Sequence, residues 1–118
     1  MAEFKTSLRE SEEFSIVELS GYLDAHTAPD LETAFTGLID QNKYKVVVNF
    51  KDLEYISSAG LGVFMAYIET MRENNGDIKL VEMKPAVYGI FDLLGFPLLY
   101  DILDDEKEAL NKFKQQGA

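Results

Sequence analysis

Cysteine is the residue type whose absence says most about this chain. None of the 118 residues is a cysteine, which excludes disulfide bonds, thiolate catalysis and cysteine-ligated metal sites. Long apolar runs are missing too, since no stretch approaches the ~18 apolar residues of a membrane-spanning helix. Residues 1–5 lack the pattern of a signal peptide. We therefore expect a cytoplasmic protein, and the chain length predicts a single domain over residues 1–118.

Basic residues are few as well. The chain has 11 Lys and Arg against 21 Asp and Glu, which gives a net charge of −10. Nucleic acids and anionic membranes are bound mainly through Lys and Arg, so we expect neither as a partner. The acidic excess either serves only to keep a small protein soluble or indicates a partner with a basic surface.

Apolar periodicity and turn signals predict an alternating α/β chain. Helices are expected to begin within 27–30, directly after Ser57 and Ser58, at Pro85 and within 104–106. Strands are expected at 4–8, 14–19, 45–50 and 78–81, with a short one at 98–102, and Gly21 is expected to end the second strand. This order predicts an α/β fold with a mixed sheet of four to five strands, about four helices and parallel central strands.

The segment between the third strand and the second helix carries the strongest local signal. Ser57 and Ser58 stand where the strand has ended and the helix begins. A helix N-terminus offers unpaired N–H groups and a partial positive charge, so a serine there either caps the helix or serves as a phosphate acceptor. The turn at 21–24 should lie at the same edge of the sheet if the second strand runs parallel to the third.

The chain resembles STAS domains, the fold of bacterial anti-sigma factor antagonists, over nearly its whole length. The resemblance depends on short motifs that occur in order at the expected spacings. They are Gly21-Tyr22-Leu23-Asp24, Val47-Val48-Asn49-Phe50, Ile56-Ser57-Ser58-Ala59-Gly60-Leu61-Gly62, Pro85-Ala86-Val87 and Phe91-Asp92-Leu93-Leu94-Gly95.

The resemblance implies a partner-switching mechanism without catalysis or a cofactor. Such antagonists bind an anti-sigma factor that is also a serine kinase, and this binding releases the sigma factor. The kinase phosphorylates a serine at the start of the helix, which ends the binding, and a metal-dependent serine/threonine phosphatase removes the phosphate. Alignment on the glycines puts the acceptor at Ser58. The implied partner surface contains Asp24, Ser57, Ser58, Ala59, Gly60, Leu61 and Gly62, and no metal ligands are expected.

Two positions depart from the family pattern. The family often has an acid just before the acceptor and a Ser or Thr just after it, whereas this chain has Ser57 and Ala59. Ser57 therefore competes with Ser58 as the acceptor. The alternative function is a STAS interaction module of another signalling assembly, such as a stressosome-like complex, without a phosphorylation switch at Ser58.

Several of these residues also have a purely structural interpretation. Gly60 and Gly62 either permit tight packing against the sheet or leave a bare backbone that a partner can approach. Leu61 is either a core residue or an exposed anchor, and Asp24 either braces its turn or meets a basic group of the partner.

Enzyme functions have little support in the sequence. A hydrolase triad of Asp24, His26 and Ser58 would lack the G-x-S-x-G nucleophile motif. Gly60 and Gly62 lack the third glycine of a dinucleotide fingerprint, and no G-x-x-x-x-G-K-[ST] motif is present. We therefore expect a regulatory binding protein rather than an enzyme.

Overall fold

The structure is a computed structural model that describes residues 3–116. The strands are β1 (Lys5–Ser11), β2 (Phe14–Leu23), β3 (Lys45–Ile56), β4 (Asp77–Val81) and β5 (Ile102–Leu103). The α-helices are α1 (Ala28–Asp40), α2 (Ser58–Glu73), α3 (Pro85–Leu93) and α4 (Glu106–Gln115). A 3₁₀ turn at Phe96–Leu98 lies between α3 and β5. Within the described residues, no helix is both long and apolar enough to cross a bilayer.

The five strands form one sheet in the order β1-β2-β3-β4-β5. β1 pairs antiparallel with β2, whereas every later pair is parallel. The predicted mixed sheet with parallel central strands is thus confirmed. Because Leu23 pairs with Ile56 at the ends of β2 and β3, the loops that follow these two residues leave the sheet at the same edge.

Three predicted strand ends were wrong, because β1 runs on to Ser11 and because β2 and β3 remain paired well beyond residues 19 and 50. In the extension of β3, pairs of exposed residues separate buried Leu53 from Phe50 and from Ile56, and the register with β2 shifts there. This spacing is not regular strand alternation, so the apolar pattern did not identify the extension. Gly21 does not end β2 but lies within it at φ +85°, and a Cβ there would lie 2.3 Å from the carbonyl oxygen of Glu3. Glycine is therefore required by both conformation and space.

The predicted strand at 98–102 was also largely wrong. Gly95 adopts φ +77° and leads into the 3₁₀ turn, so the chain reverses where a strand was expected. Phe96 and Tyr100 turn inward with their rings stacked 5.2 Å apart. Only Ile102 and Leu103 remain to pair with β4.

Helices cover both faces of the sheet. The larger core lies beneath α1, α2 and α3, and a smaller core lies beneath α4. Val46 and Val48 point into the larger core while Val47 points into the smaller one, as expected for a strand buried on both faces. α4 is anchored by Phe113, whose ring stacks on Phe14 at 5.2 Å.

One fully buried cation lies under α4. Lys79 is 0% exposed, and its Nζ donates hydrogen bonds to Asp77 at 3.0 Å and Asp101 at 2.6 Å. The Nζ also lies 4.5 Å from the centre of the Phe113 ring. Burial acts to raise the pKa of Asp101, but the hydrogen bond and charge of Lys79, aided by Lys112, outweigh it and leave that pKa lowered.

Candidate functional site

The candidate site lies where the β2–α1 loop meets the start of α2. The backbone N–H of Ser57 donates to the carbonyl oxygen of Leu23 at 2.9 Å, which ties the two segments together. Asp24, the next residue after Leu23, therefore begins its loop directly beside the N-terminus of α2. The structure thus brings the two groups of predicted site residues to one edge of the sheet.

Ser57, not Ser58, occupies the cap position of α2. Ser57 has extended backbone angles of φ −98° and ψ 173°, and its carbonyl oxygen accepts the helical hydrogen bond from Leu61 N at 3.1 Å. Its side chain makes no capping hydrogen bond. Ser58 is the first helical residue, so of the two serines it is Ser57 and not Ser58 that stands at the N-cap. The first amides of α2 remain available to an anion because no side chain caps them.

The two serines differ sharply in accessibility. Ser58, Ala59 and Gly62 are all exposed on the first turns of α2, and we call these three residues the α2 entry surface. The hydroxyl oxygen of Ser57 is instead buried, and within residues 3–116 it has no hydrogen-bond partner. The hydroxyl that a second protein can reach from outside is therefore that of Ser58.

Gly60 and Leu61 serve the interior of the protein. A Cβ on Gly60 would lie 2.7 Å from Leu23 Cγ and 3.0 Å from Ile56 Cγ1, so the helix lies against the strand ends without room for a methyl group. Leu61 is 3% exposed and belongs to the larger core. The expectation that these two residues contact a partner is therefore replaced by a packing role, because neither offers surface to a second protein.

Gly62 has a different environment from Gly60. A Cβ on Gly62 would meet nothing within 4 Å, so packing does not explain this glycine. Its backbone is exposed on the α2 entry surface. The alternative role of Gly62, a bare backbone that a partner can approach, stays a prediction.

Asp24 braces the β2–α1 loop. Its Oδ1 accepts hydrogen bonds from the backbone N–H groups of His26 at 2.9 Å and Thr27 at 3.2 Å. The Asp24 N–H in turn donates to Thr27 Oγ1 at 2.9 Å. Thr27 thus supports this loop, and although it occupies the N-cap position of α1, its side chain makes no capping hydrogen bond. The structural interpretation of Asp24 is the one that the contacts support.

The geometry offers no hydrolase triad. Asp24 accepts a hydrogen bond from the backbone N–H of His26 and not from its imidazole. A triad requires the imidazole to bond both the carboxylate and the nucleophile. Among residues 3–116, no three His, Asp or Glu side chains converge as metal ligands. The arrangement presents one exposed serine, Ser58, at the start of α2.

Two tyrosines border the site and were not identified from the sequence. Tyr22 and Tyr55 pair across β2 and β3 with ring centroids 5.8 Å apart, and both are partly exposed. They lie on the sheet face opposite to Leu23 and Ile56, one residue before each strand ends. The strands were predicted to end at residues 19 and 50, so Tyr22 and Tyr55 were not recognised as neighbours on an exposed sheet face.

Comparison with known proteins places this fold in one family. The STAS domain family model matches residues 5–109. BtrV of Bordetella bronchiseptica, named as a candidate anti-sigma factor antagonist, is 31% identical over 81% of this chain and 83% of its own. An anti-sigma factor antagonist structure from Mycobacterium paratuberculosis has a TM-score of 0.87 at 24% identity and covers 95% of both chains.

A third relative has been solved in two states. The anti-sigma factor antagonist SpoIIAA in its unphosphorylated form superimposes with a TM-score of 0.71 at 21% identity, over 95% of this chain and 98% of its own. The same protein from Bacillus has also been solved in a phosphorylated form. The family match covers most of the chain, and the resemblance drawn from the short motifs is confirmed. The chain belongs to the STAS-domain family of anti-sigma factor antagonists.

Proposed function

We propose that this protein antagonises an anti-sigma factor in the cytoplasm. Its unphosphorylated form binds an anti-sigma factor with serine kinase activity, and that binding releases the sigma factor. Phosphorylation of Ser58 ends the binding, and a metal-dependent serine/threonine phosphatase restores it. The protein has no catalysis or cofactor of its own. The names of BtrV and of the two structural relatives support the antagonist role, and the two states of SpoIIAA support regulation by phosphate.

One observation carries the choice of acceptor. Ser58 is exposed at the first position of α2, whereas the hydroxyl of Ser57 is buried. Phosphoryl transfer requires the acceptor oxygen to be in line with the γ-phosphate of ATP, so the kinase must reach that oxygen directly. This difference in access supports Ser58 over Ser57 as the phosphorylated residue.

The helix start tolerates the phosphate within the free protein. The modification adds about −1.5 to −2 charges at pH 7. Uncapped amides and the positive end of the helix dipole accept an anion at this position, so the fold should survive phosphorylation. Residues 52–66, which surround Ser58 in the sequence, contain no Lys or Arg that would neutralise the phosphate. The added charge therefore remains on the surface that faces a partner.

At a packed interface the same phosphate is strongly unfavourable. The phosphate adds bulk beside the small exposed residues Ala59 and Gly62. A partner that packs against this surface would also have to strip water from the phosphate charge. An unfavourable change of ~4 kcal/mol weakens binding about a thousandfold. The overall charge of −10 also predicts that the partner presents a basic surface to this edge.

The test combines phosphorylation with binding. The purified protein is incubated with ATP and the anti-sigma factor kinase of its own organism, and mass spectrometry locates the phosphate. Calorimetry then compares binding of that kinase to the parent, Ser58→Ala and Ser58→Asp. We expect phosphate on Ser58, parental affinity for Ser58→Ala, and a loss of at least about a hundredfold for Ser58→Asp.

Ser57→Ala is the matched control, because it removes the neighbouring hydroxyl from a buried position. This variant should be phosphorylated and released like the parent. Phosphate located on Ser57, or parental affinity in Ser58→Asp, would refute the switch. Retained kinase binding in the absence of any phosphorylation would instead favour a STAS module of another assembly.

A further inference from the structure

A crevice opens between the two connections that leave β4 and β5, and we call it the β4–β5 crevice. These strands are parallel, so their carboxyl ends lie at the same edge of the sheet. The chain turns to the face of the larger core after β4, where α3 lies, and to the opposite face after β5, where α4 lies. In open α/β sheets, ligands bind outside the carboxyl ends of the strands at the point where neighbouring connections diverge in this way.

The β4–β5 crevice has the size and apolar lining of a small-molecule site. Its volume is about 450 Å³, and ligand pockets range over about 300–1,000 Å³. Met83 and Ile102 line it and pack against the larger core, while Leu103 lines it and packs against the smaller core. The N–H of Glu82 donates to the carbonyl oxygen of Leu103 at 3.3 Å, which ties the two connections together.

The charge that lines the β4–β5 crevice is negative. Glu82 and Asp104 are among its seven lining residues, and none of these seven described residues is Lys or Arg. The ion pairs formed within residues 3–116 include neither carboxylate. Glu82 accepts a hydrogen bond from the amide of Asn49 at 2.9 Å, but this donor is neutral and leaves the carboxylate charge uncompensated. Two negative charges therefore border one apolar crevice.

Two helices begin beside the β4–β5 crevice, and a helix N-terminus by itself favours an anion. α3 begins with Pro85, which has no N–H to offer. The start of α4 is occupied by the acids of the chain itself, because Glu106 and Glu108 lie in its first turn and Asp105 Oδ1 accepts from Glu108 N at 2.9 Å. Each dipole supplies only about half a positive charge. The two lining carboxylates outweigh it, so the crevice favours a cation.

We propose that the β4–β5 crevice binds a small organic cation, an amine or guanidinium group on a short apolar stem. Glu82 and Asp104 hold the charged group, and Met83 and Ile102 contact the stem. Tyr88, also in the lining and 39% exposed, adds an aromatic ring that attracts a cation over its face. A bare metal ion fits less well, because it takes about six oxygen ligands and no three acidic or histidine side chains converge within residues 3–116.

The β4–β5 crevice is distinct from the α2 entry surface. Asn49 pairs with Val81 at the end of β4, and β3 continues for seven residues beyond Asn49 before α2 starts. At about 3.3 Å per strand residue, the start of α2 lies roughly 20 Å further along the sheet. A ligand in the crevice therefore leaves Ser58 uncovered, and its binding does not depend on the proposed phosphorylation switch.

NMR titration of the isotope-labelled full chain tests the site with defined probes. Phenethylamine and agmatine should each shift the amide signals of Glu82, Met83 and Asp104 in a saturable way, with a Kd of about 1 mM. The neutral analogue phenethyl alcohol and the anionic analogue hydrocinnamate should bind at least about tenfold more weakly than phenethylamine. Failure of both cations to saturate these signals overturns the proposal. Equal binding of hydrocinnamate overturns it too, because the site would then belong to the helix N-termini.

A pair of double variants separates the β4–β5 crevice from general attraction to an acidic protein. Glu82→Gln with Asp104→Asn should weaken phenethylamine at least about tenfold, because both charged acceptors are lost. Glu69→Gln with Glu73→Gln is the matched control, since it removes the same charge from exposed positions on α2. This control should keep the parental affinity. Equal weakening in both double variants, or in neither, refutes the site.

The single variant Asp104→Asn keeps the test valid if the change at Glu82 disturbs its contact with Asn49. Asp104 is exposed and precedes α4, so its amide variant should give the parental amide spectrum away from the β4–β5 crevice. It should still weaken phenethylamine about threefold or more. Parental affinity in a folded Asp104→Asn protein would contradict the role of this carboxylate and with it the proposed choice of ligand.

Discussion

The two glycines at the start of α2 should respond in opposite directions to the same substitution. Alanine is favoured over glycine within a helix by ~1 kcal/mol. At Gly62 the added methyl group meets nothing within 4 Å, so Gly62→Ala should raise the free energy of unfolding by about 0.5–1 kcal/mol. This variant isolates the helical preference from any packing effect.

Gly60→Ala adds a steric cost to the same helical gain. Its Cβ would lie 2.7 Å from Leu23 Cγ and 3.0 Å from Ile56 Cγ1, closer than atoms normally approach. Leu23 and Ile56 are themselves buried at the strand ends, so neither side chain has free space to move into. Overpacking of this kind costs about 1–3 kcal/mol. Gly60→Ala should therefore be less stable than Gly62→Ala by about 1–3 kcal/mol.

Urea denaturation followed by circular dichroism measures this difference, with the slope of unfolding free energy against urea expected to be unchanged. Equal stability of the two variants would refute the packing role of Gly60. Affinity for the proposed anti-sigma factor kinase is expected to change in the opposite direction to stability. Gly62→Ala should bind more weakly than the parent although it is more stable, because its methyl group lies on the α2 entry surface.

Three further predictions concern single side chains. Asp101→Asn should cost about 1–2 kcal/mol at neutral pH, since Lys79 loses a charged acceptor. Folding lowers the pKa of Asp101 below its ordinary value of 3.8, so its stabilisation is fully present above pH 3.8 and is lost as the pH falls through the pKa of the folded state. The free energy of unfolding of Asp101→Asn, measured in urea, should therefore fall less on acidification than that of the parent. Ser57→Ala should unfold within about 0.5 kcal/mol of the parent in urea, because its buried hydroxyl lacks a partner among the described residues. Asp24→Ala should expose the amide of His26 to faster hydrogen exchange, because that amide donates to the Asp24 carboxylate.

The sequence predicted the fold class because its signals are local. Val46, Val47 and Val48 predicted a strand buried on both faces, and both cores contain members of this run. Pro85 and Asp105 indicated helix starts, and Asp105 Oδ1 indeed accepts from Glu108 N at 2.9 Å. Such patterns depend on residues within one or two turns of each other, so they can be recognised without knowledge of the tertiary structure.

Errors arose where partners distant in the sequence decide the outcome. The ends of β2 and β3 depend on pairing with each other, and the strand expected at 98–102 gave way to the inward packing of Phe96 on Phe91. The outward leucines of that segment were likewise invisible from apolar periodicity, which reports that a residue is hydrophobic but not which face of the protein it occupies.

By itself the sequence determined the alternating α/β order, the acidic character and the presence of two serines at the start of α2. Tertiary structure decided which serine is accessible, because the Ser57 hydroxyl is enclosed while Ser58 stands one residue further along the helix. It also decided that Gly60 is required by packing and Gly62 is not. The physical reason is that burial depends on which segments surround an atom, and those segments come from distant parts of the chain.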